Sequence, residues 1–213
     1  MNVTKFGHAC LLVEEKGVRI LIDPGSYSTG FENLTNLSVI LYTHEHQDHI
    51  NLESLTKLLM HNPNVKIRTN HGVAKLLESK NIPYKLLTNN QSENFNGVEI
   101  KAYGEHHLII HGDIGCIDNT GYLIGNRLFY PGDALVVPPL EVEILALPIE
   151  APWMKLGDAM DYVLKVKPKV CFAVHDARLS EIGMKSNLHL AALILKDLKL
   201  EVKQLENSKQ YKF

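Results

Sequence analysis

The chain has 213 residues, which at about 150 residues per domain favours one large domain spanning residues 1–213. Hydrophobic residues make up 45% and charged residues 22%, as in globular proteins, so disorder and collagen-like repeats are excluded. The net charge of −2 excludes the basic surface of a typical nucleic-acid-binding protein. No apolar run reaches the roughly 18–20 residues that a membrane span needs.

The N-terminus and the cysteines favour a cytoplasmic protein. The opening residues MNVTKFGHAC are polar where a signal peptide would have its apolar segment. Cys10, Cys116 and Cys171 are scattered and form no CxxC pair or disulfide pattern. We therefore expect a reducing, intracellular environment.

Alternating strands and helices are expected along the chain. Strands are predicted at 2–6, 10–15, 18–23, 38–43, 65–69, 98–103, 121–124, 127–130, 142–147, 169–174 and 200–205. Helices are predicted after Leu52 up to Asn62, from Val73 to Asn81, at 156–166 and at 188–198. This mixture predicts a layered α/β or α+β domain.

The eleven histidines are distributed unevenly, and one group directly follows a predicted buried strand. His44, His46, Asp48 and His49 form the pattern H-x-H-x-D-H. In extended backbone, positions 44 and 46 point the same way and could hold one ion. A turn after them would direct Asp48 and His49 towards a second ion. Imidazole and carboxylate are the ligands that borderline divalent metals prefer. The pattern therefore predicts a two-metal site, with ions about 3.5–4 Å apart.

The hexapeptide HEHQDH resembles the signature of the metallo-β-lactamase-fold superfamily of metal-dependent hydrolases. The resemblance extends along nearly the whole chain, in the motifs GHACLLVE, RILIDPG, GEHH, YPGD and AVHD, which occur in the order typical of that family. LPIEAPW resembles its small single-domain branch, related to the ascorbate-phosphate lactonase group. The resemblance implies a four-layer αββα sandwich with metals at one edge of the sheets.

The resemblance also implies a ligand set. The first ion would be held by His44, His46 and a third histidine from 104–111, the second by Asp48, His49 and His175, with Asp133 bridging both. Asp133 and His175 each follow a predicted strand, a position from which a side chain can be projected into a site.

The third histidine is open between His106 and His107. Strand parity cannot choose between them once Gly104 permits a bend, but the GE-x-H spacing favours His107. His111 is a candidate proton donor in the cleft, with a structural role as its alternative.

Three further residues are candidates for substrate or supporting roles. Asp23 ends a predicted strand and is placed to accept a hydrogen bond from a ligand imidazole. His8 lies in the GHA segment, which the resemblance puts near the site. Trp153, the one tryptophan, is a candidate wall of the substrate pocket.

The expected reaction is hydrolysis by a metal-bridging hydroxide. Two ions lower the pKa of a shared water from about 16 towards 7, and Asp48 would orient the hydroxide and take up its proton. An ester, lactone, thioester or phosphoester of a small cytoplasmic molecule is the expected substrate. Zinc is the expected metal because the ligands are rich in histidine, with manganese and iron as alternatives.

Two other functions remain open. One is a nucleic-acid phosphodiesterase of the RNA-processing branch, although no basic stripe is visible. The other is a non-enzymatic metal-binding regulatory protein, which would predict an incomplete ligand set. A small-molecule substrate is the expected partner, whereas nucleic acid and membrane are not expected, and the oligomeric state cannot be read from the sequence.

Overall fold

The computed structural model describes residues 1–213 and contains two seven-stranded β-sheets. Strands are numbered in chain order, and neighbouring strands within a sheet are named side by side. The first sheet comprises β14 (Gln210–Lys212), β1 (Asn2–Lys5), β2 (Leu11–Glu15), β3 (Val18–Ile22), β4 (Val39–Leu41), β5 (Lys66–Thr69) and β6 (Lys85–Leu86). The second comprises β13 (Val202–Lys203), β12 (Val170–Val174), β11 (Ile144–Pro148), β10 (Leu128–Tyr130), β9 (Gly121–Ile124), β8 (Val98–Tyr103) and β7 (Ser92–Phe95).

Four α-helices cover the outer faces of the sheets. They are α1 (Leu52–His61), α2 (His71–Glu78), α3 (Leu156–Val166) and α4 (Glu181–Ile194), and a short 3₁₀ turn follows at Lys196–Leu198. The side chains of Asn51, Asn70 and Ser180 cap α1, α2 and α4 by accepting backbone N–H bonds in the first turn. No helix combines the length and the apolar character needed to cross a bilayer.

A central core lies between the two sheets. Alternation along β3 shows how it forms, because Ile20 and Ile22 belong to this core whereas Leu21 faces the other way. From the second sheet, Tyr122 and Phe172 join the same cluster of 22 buried residues.

Each outer face of a sheet has its own core against a pair of helices. Leu55 of α1 and Leu77 of α2 pack with Leu21 of the first sheet. Met160 of α3 packs with Leu145 of the second sheet in a separate cluster, which α4 also joins. The order of layers is helices, sheet, sheet, helices, so the predicted αββα sandwich is confirmed.

The differences from the sequence prediction lie at the edges. The last helix begins at Glu181, where Ser180 caps it, rather than at the predicted Leu188. Its first turns are largely exposed, as at Ile182 (81% exposed), so they carry little of the buried apolar pattern on which the prediction relied. Three short strands, β6, β7 and β14, were not predicted. These strands are two to four residues long and largely polar, so they carry no apolar alternation.

The carboxyl ends of several strands meet at one edge of the sandwich. β3, β4 and β5 are mutually parallel in one sheet, and β10, β11 and β12 are parallel in the other. Asp23 follows β3, His44 lies three residues past β4, Asp133 lies three residues past β10, and His175 follows β12. This edge therefore collects the histidines and aspartates that the sequence singled out.

Candidate metal centre

Two groups of side chains converge at this edge, each with four atoms suited to metal binding within 4.8 Å of one another. The first group comprises His44, His46, His107 and Asp133, and the second comprises His8, Asp48, His49 and His175. All except His46 and Asp48 are buried, and those two are half-buried. Every ligand position implied by the resemblance is therefore found in the two groups, with His8 in addition.

Asp133 lies between the two groups. Its Oδ1 is 3.1 Å from His49 Nε2, while its Oδ2 is 3.3 Å from His107 Nε2 and 3.2 Å from His175 Nε2. The same Oδ2 lies 3.8 Å from His44 Nε2. One carboxylate thus faces histidines of both groups, which is the arrangement expected of a bridging residue.

The turn that separates the two halves of HEHQDH is fixed by backbone contacts. The N–H groups of His49 and Ile50 both donate to the His46 carbonyl at 2.9 Å. Gly25 packs against this turn so closely that a Cβ atom there would lie 1.9 Å from the Asp48 carbonyl oxygen. The Asp-Pro-Gly loop after β3 therefore needs glycine for the backbone to approach Asp48.

Asp23 is fully buried and orients the HEHQDH segment through contacts with Thr43 and His49. Its Oδ1 accepts the Thr43 N–H at 2.8 Å, and its Oδ2 accepts the Thr43 hydroxyl at 2.6 Å. His49 Nδ1 lies 2.7 Å from the same Oδ2. With Asp23 as acceptor, His49 carries a proton on Nδ1 and directs Nε2 to the cluster, where it can bind a metal in place of a proton.

Three other imidazoles are oriented in the same sense. Nδ1 of His107 donates to the carbonyl of Leu108, and Nδ1 of His175 donates to the carbonyl of Glu150. Nδ1 of His44 lies 3.0 Å from the Thr43 hydroxyl, whose own proton goes to Asp23. Each ring therefore turns its Nε2 towards the centre, and this nitrogen has a lone pair for a metal whenever the ring is neutral.

The atoms that face the centre lack hydrogen-bond partners. Buried and unpaired are Nε2 of His8, His44, His49, His107 and His175, together with Oδ1 of Asp133. Buried polar atoms are almost always paired, because leaving one unpaired costs about 1–3 kcal/mol. A cluster of unpaired imidazole nitrogens around carboxylates fits divalent metal ions of the zinc type.

The charges of the site reinforce this conclusion. Burial would raise the pKa of Asp133, but His49 and His175 hold it well below its usual range. Burial would lower the pKa of His49, yet Asp133 and Asp23 raise it well above its ordinary value. The pKa of His175 is raised to about 9, because Asp133 and Asp48 outweigh burial. The buried carboxylates are therefore stabilised by positive charge, which either protons on the imidazoles or metal ions can provide.

Asp48 and His44 show the two opposite environments of the site. Burial would raise the pKa of Asp48, but the neighbouring imidazoles of His175 and His8 lower it below its usual range. The pKa of His44 is lowered well below its ordinary value, first by burial and then by the charge of His49. Asp48 is thus a carboxylate and His44 a neutral imidazole near neutral pH.

Trp153 supports the cluster as well as walling the cleft. Its Nε1–H donates to Oδ2 of Asp133 at 2.9 Å. Its ring lies edge-on to His107 at 5.8 Å between ring centroids, and 6.0 Å from His175. The indole therefore holds the carboxylate that faces both groups.

A cleft of about 200 Å³ opens over the centre. Besides the cluster residues His46, Asp48, His107, Asp133 and His175, it is lined by Tyr27, Ile110, Pro152, Trp153 and Arg178. The sequence did not single out Tyr27, Ile110 or Arg178, since these lie in loops without a pattern. The Arg178 side chain is 49% exposed and its Nε lies 3.9 Å from Glu150.

The structure separates the histidines of the 104–111 segment. His107 is buried in the first group, whereas the side chain of His106 is 82% exposed. His111 is exposed, pairs with Ile114 in an isolated bridge and neither joins the cluster nor lines the cleft. His107 is thus the histidine placed to complete the first group.

Two packed sheets with this candidate metal cluster at one edge are characteristic of the metallo-β-lactamase fold. Residues 2–175 match the family described as the beta-lactamase superfamily domain, and the chain belongs to this superfamily. The match ends at His175, the last histidine of the cluster.

Similar proteins agree with this assignment. Protein Rv0786c of Mycobacterium tuberculosis is 40% identical over 182 residues, covering 83% of this chain and 84% of its own. Igni18, a novel metallo hydrolase from Ignicoccus hospitalis, superposes with a TM-score of 0.75 at 21% identity, over 100% of this chain and 98% of its own. The metallo-β-lactamase fold protein YhfI of Bacillus subtilis gives a TM-score of 0.75 at 13% identity, over 99% and 98% of the two chains. At these identities the two structures support the fold.

Proposed function

We propose that this protein is a binuclear metal-dependent hydrolase that cleaves an ester, lactone, thioester or phosphoester bond of a small molecule. The observation that carries the proposal is the position of Asp133, whose two oxygens face both ligand groups. The first ion would be held by His44, His46 and His107, the second by Asp48, His49 and His175, with Asp133 shared.

The donor set favours zinc. Five imidazoles and two carboxylates suit a borderline cation, whereas magnesium and calcium prefer sites made of oxygen ligands. Manganese and iron remain the alternatives. When bound, such ions polarise a carbonyl or phosphoryl group and lower the pKa of water to about 7.

The chain's own residues would orient the reactants. Asp48 is half-buried and stays ionised, so its carboxylate can accept a hydrogen bond from the attacking water. Trp153 holds Asp133 through its indole N–H, while Asp23 fixes the ring of His49. These contacts are in place before any substrate arrives, which reduces the cost of reorganisation during the reaction.

The cleft favours a small substrate with an apolar part and a negative charge. Its walls include Tyr27, Ile110 and Trp153, and its volume of about 200 Å³ is below the usual range for a drug-sized ligand. Arg178 at its rim is half-exposed and only distantly paired with Glu150, so its guanidinium can bind a carboxylate or phosphate.

The experiment combines metal content with hydrolysis. Protein purified without chelator or nickel affinity would be analysed by elemental mass spectrometry. It would then be assayed with Zn²⁺, Mn²⁺ or Fe²⁺ on p-nitrophenyl acetate, a γ-lactone, an acyl thioester, bis-p-nitrophenyl phosphate and an RNA oligonucleotide. Each substrate of low charge would be paired with a carboxylated analogue, which tests Arg178.

The variants His46→Ala and Asp133→Ala should lose metal and activity together, while His189→Ala, an exposed residue of α4, should lose neither. Turnover of RNA in preference to the small substrates would favour the RNA-processing alternative. Two bound ions without turnover of any substrate would favour the regulatory alternative, and the absence of metal uptake would reject the proposal.

A further inference from the structure

His8 is placed among the candidate ligands of the second ion, but its ring is oriented differently from the other buried imidazoles. The side chain is fully buried, and its otherwise unpaired Nε2 lies 3.3 Å from Oδ2 of Asp48, close enough that a small rotation completes a hydrogen bond. The other ring nitrogen, Nδ1, accepts the backbone N–H of Ala177 at 3.1 Å.

This contact determines which nitrogen carries the proton. A backbone N–H can only donate, so Nδ1 of His8 must hold a lone pair, and the ring proton must lie on Nε2. In His49, His107 and His175 the Nδ1 atom faces an oxygen acceptor instead. When neutral, those rings present a lone pair to the centre, whereas His8 presents an N–H.

The backbone keeps His8 in this orientation. The carbonyl of His8 accepts the His175 N–H at 2.8 Å, so the residue is joined to the segment after β12 through both its backbone and its ring. The rings of His8 and His175 are also in contact, tilted by 49° with 3.9 Å between their centroids. Reversing the tautomer would leave the Ala177 N–H unpaired against a buried ring, which opposes the change.

We propose that His8 is a positioning residue that donates its Nε2–H to the carboxylate of Asp48, and that it is not a ligand of the second ion. The donated hydrogen bond holds the Asp48 carboxylate towards His175, whose Nε2 lies 3.6 Å from the same Oδ2. This inference rests on the proposed function for the role of Asp48, but the tautomer itself does not depend on metal binding.

The tautomer can be measured directly. Long-range ¹H–¹⁵N correlation spectra of the histidine rings, with His8 assigned through the His8→Gln variant, should show a lone-pair Nδ1 and a protonated Nε2. The pattern should be the same before and after Zn²⁺ is added. A His8 Nε2 signal that loses its proton on Zn²⁺ addition would overturn the proposal.

Metal stoichiometry provides the second test. His8→Gln keeps a side-chain N–H donor, and His8→Phe keeps an aromatic ring without one. At saturating Zn²⁺ both variants should retain two ions per chain. His8→Phe should show about a 10–100-fold loss of Zn²⁺ affinity, the usual effect of removing a group that orients a ligand, and His8→Gln a smaller loss.

The matched ligand variant is His175→Gln, which should bind one ion fewer at saturation. A similar loss of one ion in His8→Gln would identify His8 as a ligand and overturn the proposal. If the wild-type protein takes up no Zn²⁺, the proposed function fails, and the spectra of the zinc-free protein still decide the tautomer of His8.

Discussion

The indole of Trp153 donates its Nε1–H to Oδ2 of Asp133 at 2.9 Å, and this is the oxygen that also faces His107 and His175. A single tryptophan thus fixes the carboxylate on which both ligand groups converge. The sequence suggested only that Trp153 forms a wall of the substrate pocket, whereas the structure shows that it also holds Asp133.

Replacing Trp153 with phenylalanine removes this hydrogen bond while keeping an aromatic wall. We expect Zn²⁺ affinity to fall about 10-fold or more, because Asp133 is no longer held in one orientation. The measurement is a competition titration against a chromogenic chelator. Tyr27→Phe, in the same cleft, is the control and should bind Zn²⁺ like the wild type; equal affinities for all three proteins would show that the indole does not orient Asp133.

Replacing Asp23 with asparagine should reverse the tautomer of His49. An asparagine N–H₂ at the position of Oδ2 would donate to His49 Nδ1, which moves the ring proton to Nε2 and removes the lone pair from the centre. We expect the second ion to be lost or bound about 100-fold more weakly. Ring ¹⁵N spectra and metal content check both effects.

The exposed Asp113→Asn change is the control for Asp23→Asn, because it also removes one charge but lies outside the ligand groups. An Asp23→Asn protein that still binds two ions with wild-type affinity would refute the orienting role of Asp23.

Metal affinity should increase with pH. Burial opposes a charge on His175, but Asp133 and Asp48 raise its pKa to about 9, so below pH 9 an incoming ion must displace its proton. Each displaced proton adds about tenfold in affinity per pH unit, and the contribution of His175 to this slope should disappear above about pH 9. Zn²⁺ titrations in metal buffers from about pH 6.5 to 9.5 measure the slope. An affinity independent of pH would show that metal binding does not displace a proton from His175.

Gly25 and Gly157 form a matched pair for testing the turn beneath Asp48. A Cβ at Gly25 would lie 1.9 Å from the Asp48 carbonyl oxygen, whereas nothing lies within 4 Å of a Cβ at Gly157. We expect Gly25→Ala to lower the free energy of unfolding by about 1–3 kcal/mol or more and to reduce metal content. Gly157→Ala should raise stability by about 0.5–1 kcal/mol, because alanine is favoured inside a helix. Urea unfolding and metal analysis compare the two, and equal stabilities would contradict the close approach.

The pattern of strands and helices predicted a layered α/β or α+β domain, and the resemblance to the metallo-β-lactamase superfamily added the αββα order and most of the cluster. The pattern HEHQDH was expected to turn after His46 so that Asp48 and His49 could reach a second ion, and the structure has that turn, closed by the His46 carbonyl. Asp133 and His175 were assigned from the resemblance to the metallo-β-lactamase superfamily, and their positions at the ends of predicted strands agree with that assignment.

The choice between His106 and His107 needed the structure. β8 ends at Tyr103, and Gly104 follows with φ of +86°, so the alternation of the strand is lost before either histidine. Spacing favoured His107, and burial separates the two rings.

The orientation of His8 could not be predicted from local patterns. Its tautomer depends on the N–H of Ala177, which lies 169 positions further along the chain. Such a contact follows from how the segments after β1 and β12 pack together, and periodicity carries no information about it. The edge strands were missed for a related reason, because they are defined by pairing partners rather than by their own residues.

The most direct test of the binuclear site is anomalous diffraction from crystals of the protein grown with Zn²⁺. We expect two zinc peaks about 3.5–4 Å apart, one contacting His44, His46 and His107 and the other contacting Asp48, His49 and His175, with Asp133 between them. A single peak, or peaks away from Asp133, would contradict the binuclear site.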